Sequence, residues 1–286
     1  MKQIVVLSGK GGTGKTVVTS ALASLAENKV MADCDVDAAN LYLLLRPETI
    51  KREDFYAGRI AEIDREKCVR CGRCIDACRF DAISGDFVID PVACEGCGLC
   101  HRICPAGAVK LKENLCGELF VSQTRFGTMV HARLGVAEEN SGKLVTLVRE
   151  RASEAALAGK LDYIIIDGPP GIACPAIASI TGADLALIVT EPTISGRHDL
   201  ERVLDLAGHF GVRAAVCVNK FDINLENCAE IEKLCSRRNI DVVGRLPYEK
   251  AVLDSVVNCQ TVVERSPGSA FSKETGKIWN TLKKML

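Results

Sequence analysis

The stretch SGKGGTGKT, residues 8–16, predicts a phosphate-binding loop. It satisfies the pattern G-x-x-x-x-G-K-[ST] and lies between an apolar run at 4–7 and a helical pattern at 13–27. Glycines let the backbone turn tightly, so that successive N–H groups face a phosphate, and the helix N-terminus adds partial positive charge. The stretch therefore predicts a strand–loop–helix unit that binds a nucleotide.

Each residue of this loop has an expected role. The Lys15 ammonium is expected to neutralise the β- and γ-phosphates, and the Thr16 hydroxyl is expected to ligate Mg²⁺. The residues expected to contact the nucleotide are Gly9, Lys10, Gly11, Gly12, Thr13, Gly14, Lys15 and Thr16. A glycine-rich turn without a ligand is the alternative, and the strand–loop–helix context argues against it.

Apolar runs and helical patterns alternate along most of the chain. The predicted strands are at 4–7, 30–32, 163–167, 185–189, 214–218 and 241–244. The predicted helices are at 13–27, 143–158, 197–210 and 225–238, and a hairpin is expected at 119–132. This alternation predicts a doubly wound α/β fold whose sheet is mostly parallel.

The composition excludes several classes of function. The formal net charge of −1 gives no basic field for nucleic acid or an anionic membrane, and 5% aromatic residues argue against a stacking surface for single strands. The chain has 15 cysteines, but its N-terminus lacks the apolar run of a secretory signal. We therefore expect a cytoplasmic protein whose clustered cysteines bind metal rather than form disulfides.

Residues 59–111 interrupt the α/β pattern and contain an internal repeat. The spacing C-x2-C-x2-C-x3-C occurs twice, the second time displaced by 26 residues, from Cys68 to Cys94. We predict an inserted small α+β ferredoxin-like domain at 59–111, within a P-loop domain formed by 1–58 and 112–286.

This spacing resembles that of bacterial ferredoxins, in which three close cysteines bind one [4Fe–4S] cluster and the fourth reaches the other cluster. The resemblance implies two ligand sets. They are Cys68, Cys71, Cys74 and Cys104 for the first cluster, and Cys94, Cys97, Cys100 and Cys78 for the second. Zinc is the competing ligand, because CxxC pairs also form tetrahedral zinc sites.

The two repeats differ after their last cysteine. Pro105 follows Cys104, as is usual in ferredoxins, whereas Arg79 follows Cys78. Together with Arg70 and Arg73, Arg79 would raise the potential of one cluster or dock an acidic partner. A solvated basic face is the alternative.

The phosphate loop contains an additional lysine, Lys10, and KGGTGKT resembles the deviant Walker A motif of the MinD/ParA family of ATPases. That family includes Mrp-type cluster carriers and the nitrogenase iron protein. The resemblance implies ATP-dependent formation of a homodimer, or of a heterodimer with a similar ATPase, in which Lys10 reaches the partner's nucleotide. Residues 32–45 resemble switch I, with Asp35 positioning the Mg²⁺-bound or attacking water, and DGPPG at 167–171 resembles switch II, with Asp167 beside Mg²⁺.

The base-binding segment VNKFD, residues 218–222, allows two interpretations. It matches N-K-x-D, whose aspartate reads guanine in many GTPases. In MinD-like ATPases the matching residue, Asn219, contacts adenine, together with backbone near a later proline, here Pro247. Lys10 and switch II favour ATP over GTP.

Two further features carry hypotheses. Cys174 lies at the offset from Asp167 at which the nitrogenase iron protein holds a cluster shared across its dimer, and Cys116 is a possible second ligand of such a third cluster; ordinary thiols are the alternative. The apolar face of residues 277–286 is expected to close the core, although a membrane-touching helix would have the same pattern.

The whole chain resembles MinD-type ATPases with an inserted two-cluster ferredoxin domain. That resemblance implies an ATPase that gates assembly or delivery of iron–sulfur or related clusters to a redox or cluster-acceptor protein. The alternatives are an ATP-gated electron donor like the nitrogenase iron protein, and a MinD/ParA-type positioning ATPase with redox-sensing clusters.

Overall fold

The computed structural model describes residues 1–135 and 140–286. The chain divides into two compact units. The core unit comprises Met1–Glu53, Leu119–Arg133 and Ser141–Leu286, and the cysteine-rich unit comprises Asp54–Glu118 and Leu134–Asn140. The cysteine-rich unit thus takes in several residues on either side of 59–111.

Within residues 1–135 and 140–286, nine strands form one sheet in the order β3-β4-β5-β2-β6-β1-β7-β8-β9. Their bounds are β1 (Lys2–Ser8), β2 (Lys29–Asp33), β3 (Glu48–Ile63), β4 (Val109–Thr124), β5 (Gly127–Leu134), β6 (Tyr163–Pro170), β7 (Leu185–Thr190), β8 (Arg213–Asn219) and β9 (Asp241–Leu246). The pairs from β5 to β9 are parallel. The prediction of a mostly parallel sheet is confirmed, and so are the six predicted strands.

The helices connect these strands. They are α1 (Lys15–Leu25), α2 (Leu41–Leu45), α3 (Arg73–Asp76), α4 (Leu99–Ile103), α5 (Ser141–Gly159), α6 (Cys174–Ile180), α7 (Ile194–His209), α8 (Leu225–Arg237), α9 (Lys250–Val257), α10 (Val262–Arg265) and α11 (Ala270–Met285). A short 3₁₀ helix spans Phe221–Ile223. All four predicted helices are present, with shifted ends.

The shifted ends have local causes. Helix α1 begins at Lys15 rather than at residue 13, because Gly14 adopts a left-handed conformation, with φ of 91°. Helix α7 begins at Ile194 rather than at residue 197, because the Thr193 side chain accepts a hydrogen bond from the Gly196 N–H and caps the helix.

Strand β3 was not predicted from the sequence. It runs for 16 residues at the edge of the sheet, and its first part is mostly exposed and charged. Charged side chains are usual on edge strands, where they discourage pairing with another chain, but they erase the apolar run that marks a buried strand. The predicted hairpin is confirmed as β4 and β5, which are joined by only two residues and are therefore antiparallel.

The C-terminal helix α11 closes the core. Its residues Phe271, Ile278, Trp279 and Leu282 are buried in the same hydrophobic cluster as β1 and α1. The Trp279 ring meets Tyr163 edge-on, with ring centroids 5.3 Å apart. The prediction of a core-closing helix is confirmed. Within the described residues, no helix has both the length and the hydrophobicity needed to cross a membrane.

The cysteine-rich unit has a small core and a twofold internal repeat. The buried residues of its hydrophobic cluster are Ala61, Ile63, Cys74, Ile83 and Val109. Helices α3 and α4 start 26 residues apart, and each is preceded by a glycine in the left-handed conformation, Gly72 or Gly98. The repeat in the sequence therefore corresponds to a repeat in the backbone.

Candidate nucleotide and metal sites

The phosphate loop connects β1, which ends at Ser8, to α1, which begins at Lys15. A Cβ added to Gly9 would collide with the Asp199 backbone, and one added to Gly14 would collide with the Asn219 amide. In contrast, a Cβ added to Gly11 or Gly12 would meet nothing within 4 Å. The loop is therefore packed closely at its two ends and has free space along its middle, where a phosphate is expected.

Lys15 lies at the centre of the site. Its Nζ atom is 3.1 Å from Asp167 Oδ1, 3.5 Å from Asp35 Oδ2 and 3.5 Å from Thr16 Oγ1. Burial lowers the pKa of Lys15, but Asp167, Asp35 and Asp33 outweigh that effect and hold the pKa above its usual value. The ammonium group therefore stays charged, and it lies among the three side chains that were predicted to bind Mg²⁺.

Asp33 is a buried carboxyl that sequence reasoning left out of the site. It ends β2 and is the register partner of Asp167 on β6, so both lie at the carboxyl ends of neighbouring parallel strands. Its oxygens accept hydrogen bonds from the Asp35 and Leu41 N–H groups. Burial, with the nearby Asp167, raises the pKa of Asp33 well above its usual value, and burial also raises the pKa of Asp35. Its position at a strand end, like that of Asp167, was the available signal.

One carboxylate oxygen has the properties expected of a metal ligand. Asp167 Oδ1 accepts a 2.8 Å hydrogen bond from Thr19 Oγ1, but Asp167 Oδ2 is buried and has no hydrogen-bond partner among the residues that the structure describes. The hydroxyl of Thr13 in the phosphate loop is also buried without a partner. Buried polar atoms rarely lack partners, so this pattern fits a site completed by a ligand.

Lys10 is held by its own chain. Its Nζ atom is 2.7 Å from Glu191 Oε1 and donates to Ser195 Oγ at 3.0 Å. Glu191 Oε2 also pairs with Lys220, which donates to the Gly12 carbonyl at 3.1 Å. Burial raises the pKa of Glu191, but hydrogen bonds from both lysines outweigh it and hold the pKa below its usual value. Sequence reasoning missed Glu191 and Lys220, because their partners are distant in the chain.

The predicted base-binding residues brace the phosphate loop in this structure. Asn219 Nδ2 donates to the Thr13 carbonyl at 2.7 Å, and Asn219 Oδ1 accepts from the Lys220 N–H. Asp222 Oδ1 accepts the Tyr248 N–H at 2.8 Å, directly after Pro247. Contact of Asn219 and Pro247 with a base stays a prediction.

The cysteine-rich unit contains two cavities lined by the predicted ligand sets. One is lined by Cys68, Cys71, Cys74 and Cys104. The other is lined by Cys78, Cys94, Cys97 and Cys100. Each set combines a close trio from one repeat with the fourth cysteine of the other. That these sets bind clusters stays a prediction.

The thiols differ in their surroundings. Cys104 Sγ accepts the Ala108 N–H at 3.3 Å. Although burial raises the pKa of the Cys104 thiol, backbone N–H groups outweigh it and lower the pKa below its usual value, whereas burial raises the pKa of Cys74 and Cys100. Within the described residues, no three His, Cys, Asp or Glu side chains converge on a single metal ion. A [4Fe–4S] cluster instead requires cysteines spread around it, one for each iron.

The cysteines outside these sets have different surroundings. Cys116 is buried and donates its S–H to the Ala57 carbonyl at 3.0 Å. This burial argues against the hypothesis that Cys116 ligates a shared third cluster, because in this conformation the thiol is an internal packing group. Cys174 is exposed at the start of α6, and a role in a third cluster stays a prediction. The cysteines buried in the core unit are Cys34, Cys217, Cys228 and Cys235.

Comparison with known proteins identifies the family. The family model described as the CobQ/CobB/MinD/ParA nucleotide binding domain matches residues 4–262. An uncharacterised protein of Methanocaldococcus jannaschii is 38% identical over 225 residues, which cover 78% of this chain and 79% of that protein. The structure of the septum site-determining protein MinD complexed with Mg-ADP, from Pyrococcus horikoshii, has a similar fold, with a TM-score of 0.62 and 19% identity over 99% of this chain and 96% of that one.

A shorter similarity concerns a different protein. A stretch of 56 residues is 45% identical to part of the indolepyruvate oxidoreductase subunit IorA of Methanothermobacter marburgensis. This stretch covers 18% of this chain and 9% of that protein. The family model, in contrast, covers most of the chain and includes the whole phosphate loop. The protein therefore belongs to the CobQ/CobB/MinD/ParA nucleotide-binding family and is a P-loop ATPase of that family.

Proposed function

We propose that this ATPase is a dimerising iron–sulfur protein that hydrolyses ATP to gate the assembly or delivery of iron–sulfur or related metal clusters. The observation that carries the proposal is the presence, in one chain, of a complete P-loop site and two cavities that are each lined by four cysteines. We expect a cytoplasmic protein without nucleic-acid partners.

The core unit supplies the groups needed to bind and hydrolyse MgATP. Thr16, Asp35 and Asp167 would hold Mg²⁺, which neutralises phosphate charge when bound. Lys15 now pairs with these oxygens, and on binding of the metal its ammonium is free to pair with the β- and γ-phosphates. Asp35, whose carboxylate is partly exposed, is suited to orient the attacking water.

The base site favours ATP over GTP. The aspartate that would read guanine, Asp222, already accepts the backbone N–H of Tyr248. Reading guanine would compete with that hydrogen bond for the Asp222 carboxylate. Adenine recognition makes no such demand, because Asn219 and the backbone near Pro247 would make the contacts.

The cysteine-rich unit supplies the groups needed to hold two [4Fe–4S] clusters. Four thiolates line each cavity, and backbone N–H groups around Cys104 favour its thiolate form, which is the form that binds iron. When bound, each cluster supplies one-electron redox chemistry. The short similarity to an oxidoreductase subunit supports a redox role.

Chain continuity supports gating of the clusters by the nucleotide. Asp33 accepts a hydrogen bond from the first residue of α2, and β3 begins three residues after α2 ends. Strand β3 then runs to Ile63, five residues before Cys68. A change in switch I on hydrolysis would therefore act on a segment that leads to the first ligand set.

The experiment is iron counting during turnover on anaerobically reconstituted protein. We expect about eight irons per chain, as two [4Fe–4S] clusters require, and a loss of iron to an apo-ferredoxin acceptor that depends on ATP hydrolysis. Retention of all iron while electrons reach the acceptor would favour the ATP-gated electron donor, a candidate that the oxidoreductase similarity supports. About ten irons per chain would support a bridging cluster at Cys174.

A MinD/ParA-type positioning ATPase remains the third candidate, supported by the similarity in fold to MinD. It predicts ATP-dependent binding to anionic vesicles or DNA and no transfer of iron or electrons. Sedimentation with either ligand, in the presence of ATP or ADP, distinguishes it from the first two.

A further inference from the structure

The two cysteine repeats differ systematically in charge. Residues 65–79 contain five basic and two acidic side chains, a net charge of +3, whereas residues 91–105 contain one of each and are neutral. At an offset of 26 residues, the basic side chains of the first repeat correspond to small or apolar residues in the second. The pairs are Arg65 with Pro91, Lys67 with Ala93, Arg70 with Gly96, Arg73 with Leu99, and Arg79 with Pro105.

The pair formed by Arg70 and Gly96 is the most informative. Both residues have the left-handed conformation, with φ of 53° at Arg70 and 60° at Gly96. At Gly96 the carbonyl of Arg59 occupies the space that a Cβ would need, so only glycine fits. The first repeat has an arginine in a conformation that favours glycine. The cost of that conformation suggests that the arginine side chain has a function of its own.

The basic residues of the first repeat lie close in sequence to an exposed cysteine, Cys71. Val69, Arg70, Cys71 and Arg73 are all exposed, and all line the cavity of the first ligand set. Across the described residues, neither Arg70 nor Arg73 forms an ion pair. Lys67, also exposed, lies 3.9 Å from Asp64. We call Lys67, Val69, Arg70 and Arg73 the basic surface.

We propose that the basic surface docks an acidic one-electron carrier protein, which exchanges electrons with the first cluster through the side of the site formed by Cys71. The inference rests on the proposed function, because the electron acceptor is the cluster. In the forward direction the reduced carrier loses one electron and the cluster passes from [4Fe–4S]²⁺ to [4Fe–4S]⁺. No bond is formed or broken and no proton is transferred.

A protein partner fits this surface better than a nucleic acid or a membrane does. Of the two repeats only the first has an excess of positive charge, in a chain whose net charge is −1, and two of its arginines line a cavity rather than a long groove. Electron-transfer partners use small interfaces, and opposite charges at the rim of such interfaces accelerate association. Val69, which is 65% exposed and also lines the cavity, offers an apolar contact beside the arginines.

The test compares Arg73→Glu with Arg102→Glu. Both arginines are exposed on the short helices α3 and α4, and both substitutions change the net charge by the same amount. The probe is a flavodoxin of net negative charge, and its one-electron reduced form is mixed with the oxidised, reconstituted protein in a stopped-flow instrument. We expect Arg73→Glu to lower the second-order rate constant about tenfold at low ionic strength, and Arg102→Glu to change it less than about twofold. At high salt the two variants should converge.

Two further measurements make the outcome specific. Isothermal titration with oxidised flavodoxin should give weaker binding for Arg73→Glu, and Arg70→Gly, which restores the residue of the second repeat, should weaken binding without disturbing the backbone. Iron content is measured first: fewer than about eight irons per chain would contradict the proposed function itself. With full iron, equal rates for Arg73→Glu and Arg102→Glu would overturn the docking surface. Arg73-dependent binding of DNA or phosphatidylserine vesicles, with unchanged flavodoxin kinetics, would overturn it as well.

Discussion

The nucleotide site and the two cysteine sets are stabilised in different ways. In the core unit, Lys15 neutralises the carboxylates of Asp35 and Asp167, and a large hydrophobic cluster packs around β1 and α1. In the cysteine-rich unit, a small hydrophobic cluster includes the buried Cys74, and other predicted ligands, Cys68 and Cys104 among them, pack against it. Small domains with a limited hydrophobic core often add a bound metal or disulfides. We therefore expect the folding of the cysteine-rich unit, unlike that of the core unit, to depend on bound metal.

The largest expected effect follows from removal of the clusters. Chelation of iron under air should unfold the cysteine-rich unit, because metal binding free energy becomes folding free energy in small metal-binding domains. The core unit should stay folded. Limited proteolysis followed by mass spectrometry should find cleavage within residues 54–118 and protection of residues 141–286. Equal protection of both segments in the iron-free protein would contradict the comparison.

The second prediction perturbs the nucleotide site and leaves the cysteine-rich unit unchanged. Lys15→Ala removes the cation that pairs with Asp167 and, in the proposed mechanism, with the phosphates, so we expect ATP hydrolysis to fall at least about 100-fold. Iron content should not change, because the ligands belong to the other unit. The matched control is Lys2→Ala, which breaks an exposed ion pair with Asp184 and should leave hydrolysis unaltered. Loss of iron in Lys15→Ala alone would show that the two sites depend on one another.

The third prediction concerns the pH dependence of the core unit. Burial lowers the pKa of His131 to about 4, so the folded protein holds this ring neutral while the unfolded chain protonates it near pH 6.5. Its contribution to stability is fully present above pH 6.5 and is lost as the pH falls toward 4. Lowering the pH from 6.5 to 4 should therefore reduce the free energy of unfolding of the wild-type protein by about 2 kcal/mol more than that of His131→Gln.

Urea denaturation at several pH values measures this difference. Glutamine can keep the hydrogen bond that His131 Nε2 makes with Ser122 Oγ, so the main other change is that the ring no longer stacks on Phe120. Carboxylates titrate in the same range, but their contribution is common to both proteins. Parallel curves for the two proteins would show that His131 is not responsible.

The smallest expected effect concerns the ion pair between Lys10 and Glu191. Glu191→Gln removes the anion that pairs with Lys10 and Lys220, and so frees Lys10 to reach across the proposed dimer. Because a partly exposed ion pair contributes at most about 1 kcal/mol, we expect dimerisation with a non-hydrolysable ATP analogue to strengthen by no more than about fivefold. Analytical ultracentrifugation measures it, with Asp184→Asn as the control. Weaker dimerisation would mean that Glu191 positions Lys10 for use rather than restraining it.

The sequence by itself determined the features that depend on neighbours in the chain. The phosphate loop, the central strands and the four main helices were predictable, because glycine conformation, apolar runs and helical periodicity act over a few residues. The cysteine spacing is also a local repeat, and the grouping predicted from it matches the cysteines that line the two cavities. The difference in net charge between the two cysteine repeats also follows directly from the sequence.

Only the tertiary structure decided which distant side chains share a site. The register between β2 and β6 brings Asp33 beside Asp167, and the meeting of β1, β7 and β8 brings Lys10, Glu191 and Lys220 together. The burial of Cys116 is also a tertiary feature, because it depends on which face of its strand packs against the interior. Strand β3 could not be predicted from the sequence, because this edge strand has charged side chains in place of an apolar run. These features arise from pairing between segments far apart in the chain, which no local pattern encodes.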